Sequence, residues 1–222
     1  AKERIDEKTD EQLDYILSPI DQCIYLEACA GSGKTEVLGL KAAYEICRWS
    51  SRQTGIAVLT FTNEATATIA DRVSSFYGKP VPSNHFIGTF SSFVHGHIAQ
   101  RFGYKFYDIP EDKADKSFRV IDSDMSPYSN QWLENYKLDF YLPRQVIYAS
   151  QLILRASSGK WYVKQKETAQ LLTELYDGDP RQLIKQANAC KLKFLNDGFA
   201  TFEDMNLIAR KCLRDETIRR YI

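Results

Sequence analysis

The sequence predicts an α/β fold: a parallel sheet with helices on both faces, plus a mostly helical insertion in the second half of the chain. Three observations support this. Short apolar runs alternate with amphipathic helical stretches over the first hundred residues, a glycine-rich loop joins one such run to a helix, and helical patterns dominate after Gln131. Strands separated by helices favour parallel pairing with right-handed crossovers. With 222 residues, the chain is long enough to bury a core.

Caps, apolar runs and turn residues define the elements of the first half. Thr9 is a typical N-cap for a first helix, whose apolar face holds Leu13, Ile16 and Leu17. Two prolines mark a loop over 78–84. We predict strands over 23–27, 56–61 and 85–89, and further helices over about 36–49, 64–77 and 91–102.

The character of the sequence changes after Gly103. Residues 104–130 are rich in Tyr, Asp and Lys, and only 118–121 is typical of a strand. From Gln131 onward, helical patterns are separated by short breaks. We therefore predict three regions: 1–104 as the N-terminal part of the sheet domain, 105–200 as a mostly helical insertion, and 201–222 as a helix returning to the sheet domain.

The segment 28–35, Ala-Cys-Ala-Gly-Ser-Gly-Lys-Thr, has the composition of a phosphate-binding loop between a strand and a helix. Its glycines allow a tight turn whose N–H groups face a phosphate, and the following helix N-terminus adds positive field. Lys34 can reach the β- and γ-phosphates, and the Thr35 hydroxyl can bind Mg²⁺. The predicted nucleoside triphosphate site comprises Ala28, Cys29, Ala30, Gly31, Ser32, Gly33, Lys34, Thr35 and Glu36. The alternative is a glycine-rich turn with an incidental lysine.

Composition sets limits on the partners. Lys and Arg together number 29, as do Asp and Glu, so net charge neither supports nor excludes a polynucleotide ligand. No apolar run reaches the roughly 20 residues of a membrane span. The five cysteines are scattered and form no Cys-x-x-Cys pair. We therefore expect a cytoplasmic protein with free thiols and no membrane partner.

Further segments give the chain a specific family resemblance. Residues 59–67, Leu-Thr-Phe-Thr-Asn-Glu-Ala-Thr-Ala, resemble the "TFTNKAA" motif that follows the second strand of UvrD/Rep/PcrA-type superfamily 1 helicases. Residues 88–93, Gly-Thr-Phe-Ser-Ser-Phe, resemble the next motif, "GTFHS". Residues 117–122 are similar to the "F-x-I-x-D" stretch near the start of the family's helical insertion. Gln12 stands where these proteins carry the glutamine that contacts adenine.

The resemblance implies a RecA-like fold and ATP-dependent unwinding of DNA. ATP and Mg²⁺ would bind with Lys34 and Thr35 as catalytic residues, Thr35 as a Mg²⁺ ligand and Gln12 at the adenine. Single-stranded DNA and single-strand/duplex junctions are the implied partners. The implied DNA-binding residues follow two strands: Phe61, Thr62, Asn63, Thr89, Phe90 and Ser91. Core packing of the two phenylalanines, and helix capping by Thr62 and Asn63, are the alternative interpretations.

Some family features differ or do not occur in the sequence. Glu36, Glu64 and Ser91 stand where Arg, Lys and His are usual, which predicts a weaker grip on DNA. The family's apolar strand ending in Asp-Glu, the Walker B motif that holds Mg²⁺, does not occur. We therefore expect an N-terminal fragment of a longer helicase, with the second RecA-like domain of the same polypeptide as a partner, and little activity on its own.

Other interpretations stay open at this point. Within the same family, a RecB/AddA-type helicase–nuclease has a similar N-terminal region. A self-contained P-loop phosphotransferase or nucleotide switch would need a carboxylate for Mg²⁺, and Asp122 is the candidate. A nucleic-acid-binding module with a non-functional P-loop would bind DNA without any need for Lys34.

Overall fold

The computed structural model describes residues 9–27, 29, 31–110, 116–125, 130–138 and 146–222. The chain divides into two compact units between Phe93 and Val94.

The first unit combines helices with a two-stranded parallel sheet. Its elements are α1 (Asp10–Leu17), α2 (Lys34–Arg48), β1 (Ala57–Thr60), α3 (Asn63–Tyr77), β2 (Phe86–Thr89) and α4 (Phe90–Phe93). In the sheet, Ala57 lies opposite Phe86 and Thr60 opposite Thr89. The predicted strands over 56–61 and 85–89 are confirmed within one residue at each end, and their pairing is parallel.

Local signals position the helices of this unit. Thr9 and Gln12 form a capping box at the start of α1. Gly78 ends α3 in the left-handed conformation, with φ of 74°. Helices α1, α2 and α3 and strand β1 contribute to one apolar core. Its buried side chains include Ile16, Val37, Leu40, Ile46, Val58, Ile69, Val73 and Phe76. This core supports the C-terminal end of β1 and the N-terminal end of α2, and the predicted site residues lie next to these two ends.

The prediction of a strand over 23–27 is wrong: these residues have an irregular backbone in the structure. A strand in a parallel sheet needs ladder hydrogen bonds and burial on its faces. Ile24 is 44% exposed and Tyr25 is 89% exposed, so these side chains contribute little to a core. The predicted α/β character of this half is correct, but the sheet formed by the described residues has only two strands.

In the second unit, the described residues form helices and two separate sheets. After a π-helical turn over Val94–Ala99, its elements are α5 (Gln100–Phe102), β3 (Arg119–Ile121), β4 (Leu152–Arg155), β5 (Lys160–Gln165), β6 (Thr168–Leu171), α6 (Pro180–Asn196), β7 (Phe199–Thr201), α7 (Phe202–Arg214) and α8 (Glu216–Arg219). β3 and β7 pair in parallel, while β4, β5 and β6 form an antiparallel sheet. Short 3₁₀ turns occupy Gly103–Phe106, Gln131–Tyr136, Ala149–Gln151 and Leu172–Leu175.

The prediction of a mostly helical segment over 105–200 is wrong for the described residues. β5 follows a period of two, since Trp161 and Val163 are buried between exposed or half-buried neighbours. The break near Gly159 is a hairpin turn, in which Gly159 adopts a φ of 66°. The helix predicted over about 201–213 is present as α7, and Thr201 caps it in a box with Asp204.

The close approach of two loops in the first unit makes Gly55 difficult to replace. A Cβ at Gly55 would lie 1.6 Å from the backbone oxygen of Asn84. The same loops are joined by the Asn84 side chain, whose Nδ2 donates to the Thr54 oxygen at 2.9 Å. We expect Gly55→Ala to lower the free energy of unfolding by about 1–3 kcal/mol, measured by urea denaturation.

Gly96→Ala is the matched control, because a Cβ at Gly96 meets no atom within 4 Å. It should leave the free energy of unfolding unchanged or raise it by up to about 1 kcal/mol. Equal midpoints for Gly55→Ala and the unsubstituted chain would show that the two loops separate easily.

Candidate functional site

The loop before α2 makes the tight turn predicted for a phosphate-binding segment. Gly31 and Gly33 both adopt positive φ, 80° and 79°, a region that favours glycine. Ser32 closes the turn, since its backbone N and its Oγ both donate to the Cys29 oxygen, at 3.3 and 2.8 Å. The predicted members Ala28 and Ala30 lie outside the described residues.

The start of α2 places a helix N-terminus and a cation at this loop. The N-cap residue is Gly33, so no N-cap side chain competes with a ligand for the first N–H groups of the helix. Lys34 Nζ donates to the Cys29 oxygen at 2.5 Å, which holds the ammonium group against the loop. The next residue, Thr35, is exposed, and Glu36 follows it in the first turn. Backbone N–H donors and a lysine ammonium group suit the phosphates of a nucleotide, and the hydroxyl group of an exposed threonine suits a magnesium ion.

Gln12 has an observed structural role. Its Oε1 accepts from Thr9 N at 3.3 Å, and its own N donates to Thr9 Oγ1 at 3.4 Å. Ile16, one turn further along α1, is fully buried in the core that α2 shares. α1 is therefore anchored on the helix that follows the loop, and contact of Gln12 with adenine stays a prediction.

Two aromatic side chains are exposed at one edge of the parallel sheet. Because Thr60 lies opposite Thr89, the next residues along the chain, Phe61 and Phe90, leave the two strands at the same edge. Phe61 is 96% exposed and Phe90 is 54% exposed. The core-packing interpretation is therefore wrong for Phe61, and Phe90 is not a core residue either.

Two of the polar residues beside these rings, Thr62 and Thr89, cap helices, whereas the capping interpretation is wrong for Asn63, which lies inside α3. Thr62 Oγ1 accepts from Ala65 N at 3.1 Å and is the N-cap of α3, which confirms the capping interpretation for Thr62. Asn63, the first residue of α3, is exposed, and Ser91 is half-buried. Thr89 Oγ1 accepts from Ser92 N at 3.1 Å. Capping leaves the exposed faces of these side chains accessible to a ligand.

Thr60 and Thr66 are positioning residues that the sequence analysis missed. Thr60 is buried, and its Oγ1 lies 2.6 Å from Thr66 Oγ1 and donates to the Thr62 oxygen at 3.0 Å. These hydrogen bonds fix the end of β1 to the first turn of α3, on the two sides of Phe61 along the chain. The sequence signal for this contact is a threonine at the end of an apolar strand, with a second threonine six residues later in the first turn of the helix.

Asp122 belongs to the second unit and has a local role there. Its Oδ1 accepts from Asp124 N at 3.0 Å, which stabilises a turn after β3. Asp122 borders a cavity of about 310 Å³, together with the ion pair of Lys164 and Glu203 at 3.0 Å. The hydrogen bond to Glu203 raises the pKa of Lys164. Nowhere in the described ranges do three or more His, Cys, Asp or Glu side chains form a group that could hold a metal ion.

None of the helices in the described part of the chain combines the length and the apolar character needed to cross a bilayer.

Comparison with known proteins gives a consistent match. Residues 8–220 match the family described as "UvrD/REP helicase N-terminal domain". The chain is 32% identical over 125 residues to "DNA helicase II" of Haemophilus influenzae, covering 55% of this chain and 16% of that protein. It is 34% identical over 122 residues to a "Probable DNA helicase II homolog" of Mycoplasma capricolum, covering 54% and 15%.

A third relative is "ATP-dependent DNA helicase UvrD1" of Mycobacterium leprae, which is 34% identical over 98 residues. That match covers 39% of this chain and 13% of the relative. The matched stretches thus span only 13–16% of the length of these three relatives.

Proposed function

Because this chain belongs to the UvrD/REP helicase N-terminal domain family, we propose that it is the ATP- and single-stranded-DNA-binding portion of an ATP-dependent DNA helicase acting in the cytoplasm. The observation that supports this most strongly is the exposure of Phe61 and Phe90 at one sheet edge, in the same unit as the phosphate-binding loop. Exposed aromatic faces accept nucleic-acid bases without sequence preference.

In this proposal the loop before α2 holds the triphosphate. Backbone N–H groups of the loop and of the first turn of α2 bind the phosphate oxygens, and Lys34 neutralises charge on the β- and γ-phosphates. Thr35 supplies one hydroxyl ligand to Mg²⁺, which when bound offsets negative charge on the phosphates. Gln12 contacts the adenine.

The proposed partners follow from the same assignment. Single-stranded DNA lies along Phe61, Asn63 and Thr89, with Thr62, Phe90 and Ser91 beside it. Glu64 occupies the first turn of α3, where a carboxylate stabilises the helix N-terminus but repels DNA phosphates, so we expect modest affinity for DNA.

The division of labour along the chain is also a proposal. Residues 1–104 contribute to a RecA-like ATP-binding domain, 105–200 form an insertion that meets the DNA duplex or an accessory partner, and 201–222 return toward the first region. The second RecA-like domain and the Walker B carboxylates belong to the remainder of the polypeptide. The isolated chain is then a poor ATPase, since it lacks a Walker B strand.

Removing the Phe61 ring tests the proposed DNA contact. Phe61→Ala should weaken binding of a fluorescein-labelled oligo(dT) by about 1–3 kcal/mol, or about 5- to 150-fold, measured by fluorescence anisotropy. The free energy of unfolding should be unaffected, because the ring is 96% exposed.

Tyr221→Ala removes another exposed aromatic ring, 72% exposed in the second unit, and serves as the control. Its affinity for oligo(dT) should equal that of the unsubstituted chain. Equal affinities for Phe61→Ala and the unsubstituted chain would contradict the proposed DNA surface.

A further inference from the structure

The second unit contains an open apolar cavity of about 450 Å³ between α6, α7 and the β4–β5 hairpin. Its volume falls in the range of about 300–1,000 Å³ that is typical of ligand sites. The large apolar side chains that line it include Leu154, Trp161, Leu192, Leu195 and Leu207. Leu192 is 51% exposed, so part of the apolar lining is accessible from solvent. The cavity thus offers an aliphatic surface to another molecule.

One edge of this cavity carries positive charge that its own residues do not neutralise. Arg210 and Arg214 lie one turn apart on α7 and are both exposed, and neither forms an ion pair with another described residue. The other two cations at the cavity are engaged. Lys191 pairs with Asp204 at 2.7 Å, and Lys211 Nζ donates to the hydroxyl of Tyr107 at 2.9 Å. Among the described residues that line the cavity, Asp204 is the one carboxylate, and its charge is already paired with Lys191.

We propose that this cavity, with Arg210 and Arg214 at its edge, binds an acidic amphipathic helix of a partner protein. Residues four apart on a helix lie on the same face, so the two guanidinium groups match carboxylates with the same spacing on a facing helix. The leucines of the cavity accept aliphatic side chains from the apolar face of that helix, the pattern of helix-in-groove recognition.

The chemistry of the cavity argues against single-stranded nucleic acid as the occupant. Base stacking needs an exposed aromatic face. Trp161 and Tyr107 are only 7% and 9% exposed, and both polar groups are bonded within the unit, Trp161 Nε1 to Asn188 Oδ1 at 3.2 Å and the Tyr107 hydroxyl to Lys211. The proposal is independent of nucleotide binding and goes beyond the function proposed above.

The test is fluorescence anisotropy of the 222-residue chain with a labelled peptide of about 15 residues, a length at which a helix is marginal in isolation and can form on binding. The probe carries leucines at i, i+4 and i+7 on one face, flanked by glutamates. A scrambled peptide of the same composition and an oligo(dT) are measured beside it. We expect a dissociation constant of about 1–100 µM for the probe and at least about tenfold weaker binding of the scrambled peptide.

Charge reversal at the edge provides the decisive comparison. Arg210→Glu combined with Arg214→Glu should weaken probe binding at least about tenfold. The control combines Arg181→Glu with Lys185→Glu, the same charge change at exposed positions of α6 outside the cavity, and should alter binding less than about twofold. Both variants replace only exposed side chains, so both should keep the circular dichroism spectrum of the unsubstituted chain, which is measured as the check on folding.

Three outcomes would overturn the proposal. Equal binding of the scrambled peptide would show simple charge attraction, and equal effects of the two double variants would show that the cavity edge is not the site. Binding of oligo(dT) that depends on Arg210 and Arg214, without binding of the acidic probe, would assign the surface to nucleic acid.

Discussion

Replacement of Lys34 by Ala is expected to lower ATP turnover about 100- to 1,000-fold in the helicase that we propose contains this chain. Lys34 is the only cationic residue of the loop and the first residue of α2, and its Nζ lies 2.5 Å from a loop oxygen. Without it, negative charge that develops on the β- and γ-phosphates has only backbone donors and Mg²⁺ to stabilise it. The measurement is steady-state ATP hydrolysis with Mg²⁺ and a single-stranded oligonucleotide.

Lys79→Ala is the control for this experiment. It removes the same charge from the first unit, at a position after the end of α3 where Nζ lies 4.8 Å from the centre of the Tyr77 ring. Turnover of Lys79→Ala should stay within about twofold of the unsubstituted protein. If Lys34→Ala kept a similar turnover, the loop would be a structural turn.

Replacement of Lys191 by Met should destabilise the second unit by about 3–5 kcal/mol, because it leaves the Asp204 carboxylate buried without its cation. The pair is 2.7 Å apart, and both side chains are almost fully buried, 4% and 2% exposed. Lys191 Nζ also donates to the Ala149 oxygen at 2.7 Å, so this acceptor loses its partner as well. Urea denaturation of the chain gives the change in free energy of unfolding.

A second substitution separates charge burial from packing. Asp204 accepts from Thr201 N and Oγ1, both at 2.9 Å, and an asparagine at 204 can keep an acceptor for this cap. Adding Asp204→Asn to Lys191→Met should therefore recover about half of the lost stability.

Lys185→Met, on an exposed position of the same helix, is the matched control and should change stability by less than about 0.5 kcal/mol. A similar small effect for Lys191→Met would mean that water reaches Asp204.

The parts of the fold that sequence predicts well are set by local interactions. Thr9 and Thr62 each cap a helix through a hydrogen bond to a residue three positions later. β1 and β2 are short apolar runs bounded by turn residues. Such signals need no knowledge of distant contacts.

The secondary-structure predictions fail where pairing between residues distant in sequence determines whether a strand forms. Residues 23–27 are as apolar as β1, but the structure gives them no ladder and leaves Tyr25 exposed. In the second unit, β4, β5 and β6 are stabilised by pairing with one another, and Trp161 and Val163 provide too short an alternation to distinguish a strand from a helix.

The same difference between local and long-range interactions applies to the candidate site. The turn at Gly31 and Gly33 is a local property, so the sequence predicts it correctly. The exposure of Phe61 could not be predicted, because a phenylalanine after an apolar strand is equally compatible with a core. The edge formed by Arg210 and Arg214 becomes a site only through the packing of α6, α7 and a hairpin that the sequence analysis did not predict.

The central claim is that this chain binds ATP through the loop before α2. Equilibrium titration of the folded 222-residue chain with a fluorescent ATP analogue and Mg²⁺ tests it most directly. The account predicts weak but saturable binding, with a dissociation constant of about 0.1–1 mM, that ATP competes away and that Lys34→Ala abolishes. Saturable binding of the same strength in Lys34→Ala, or no saturable binding in the unsubstituted chain, would contradict the claim.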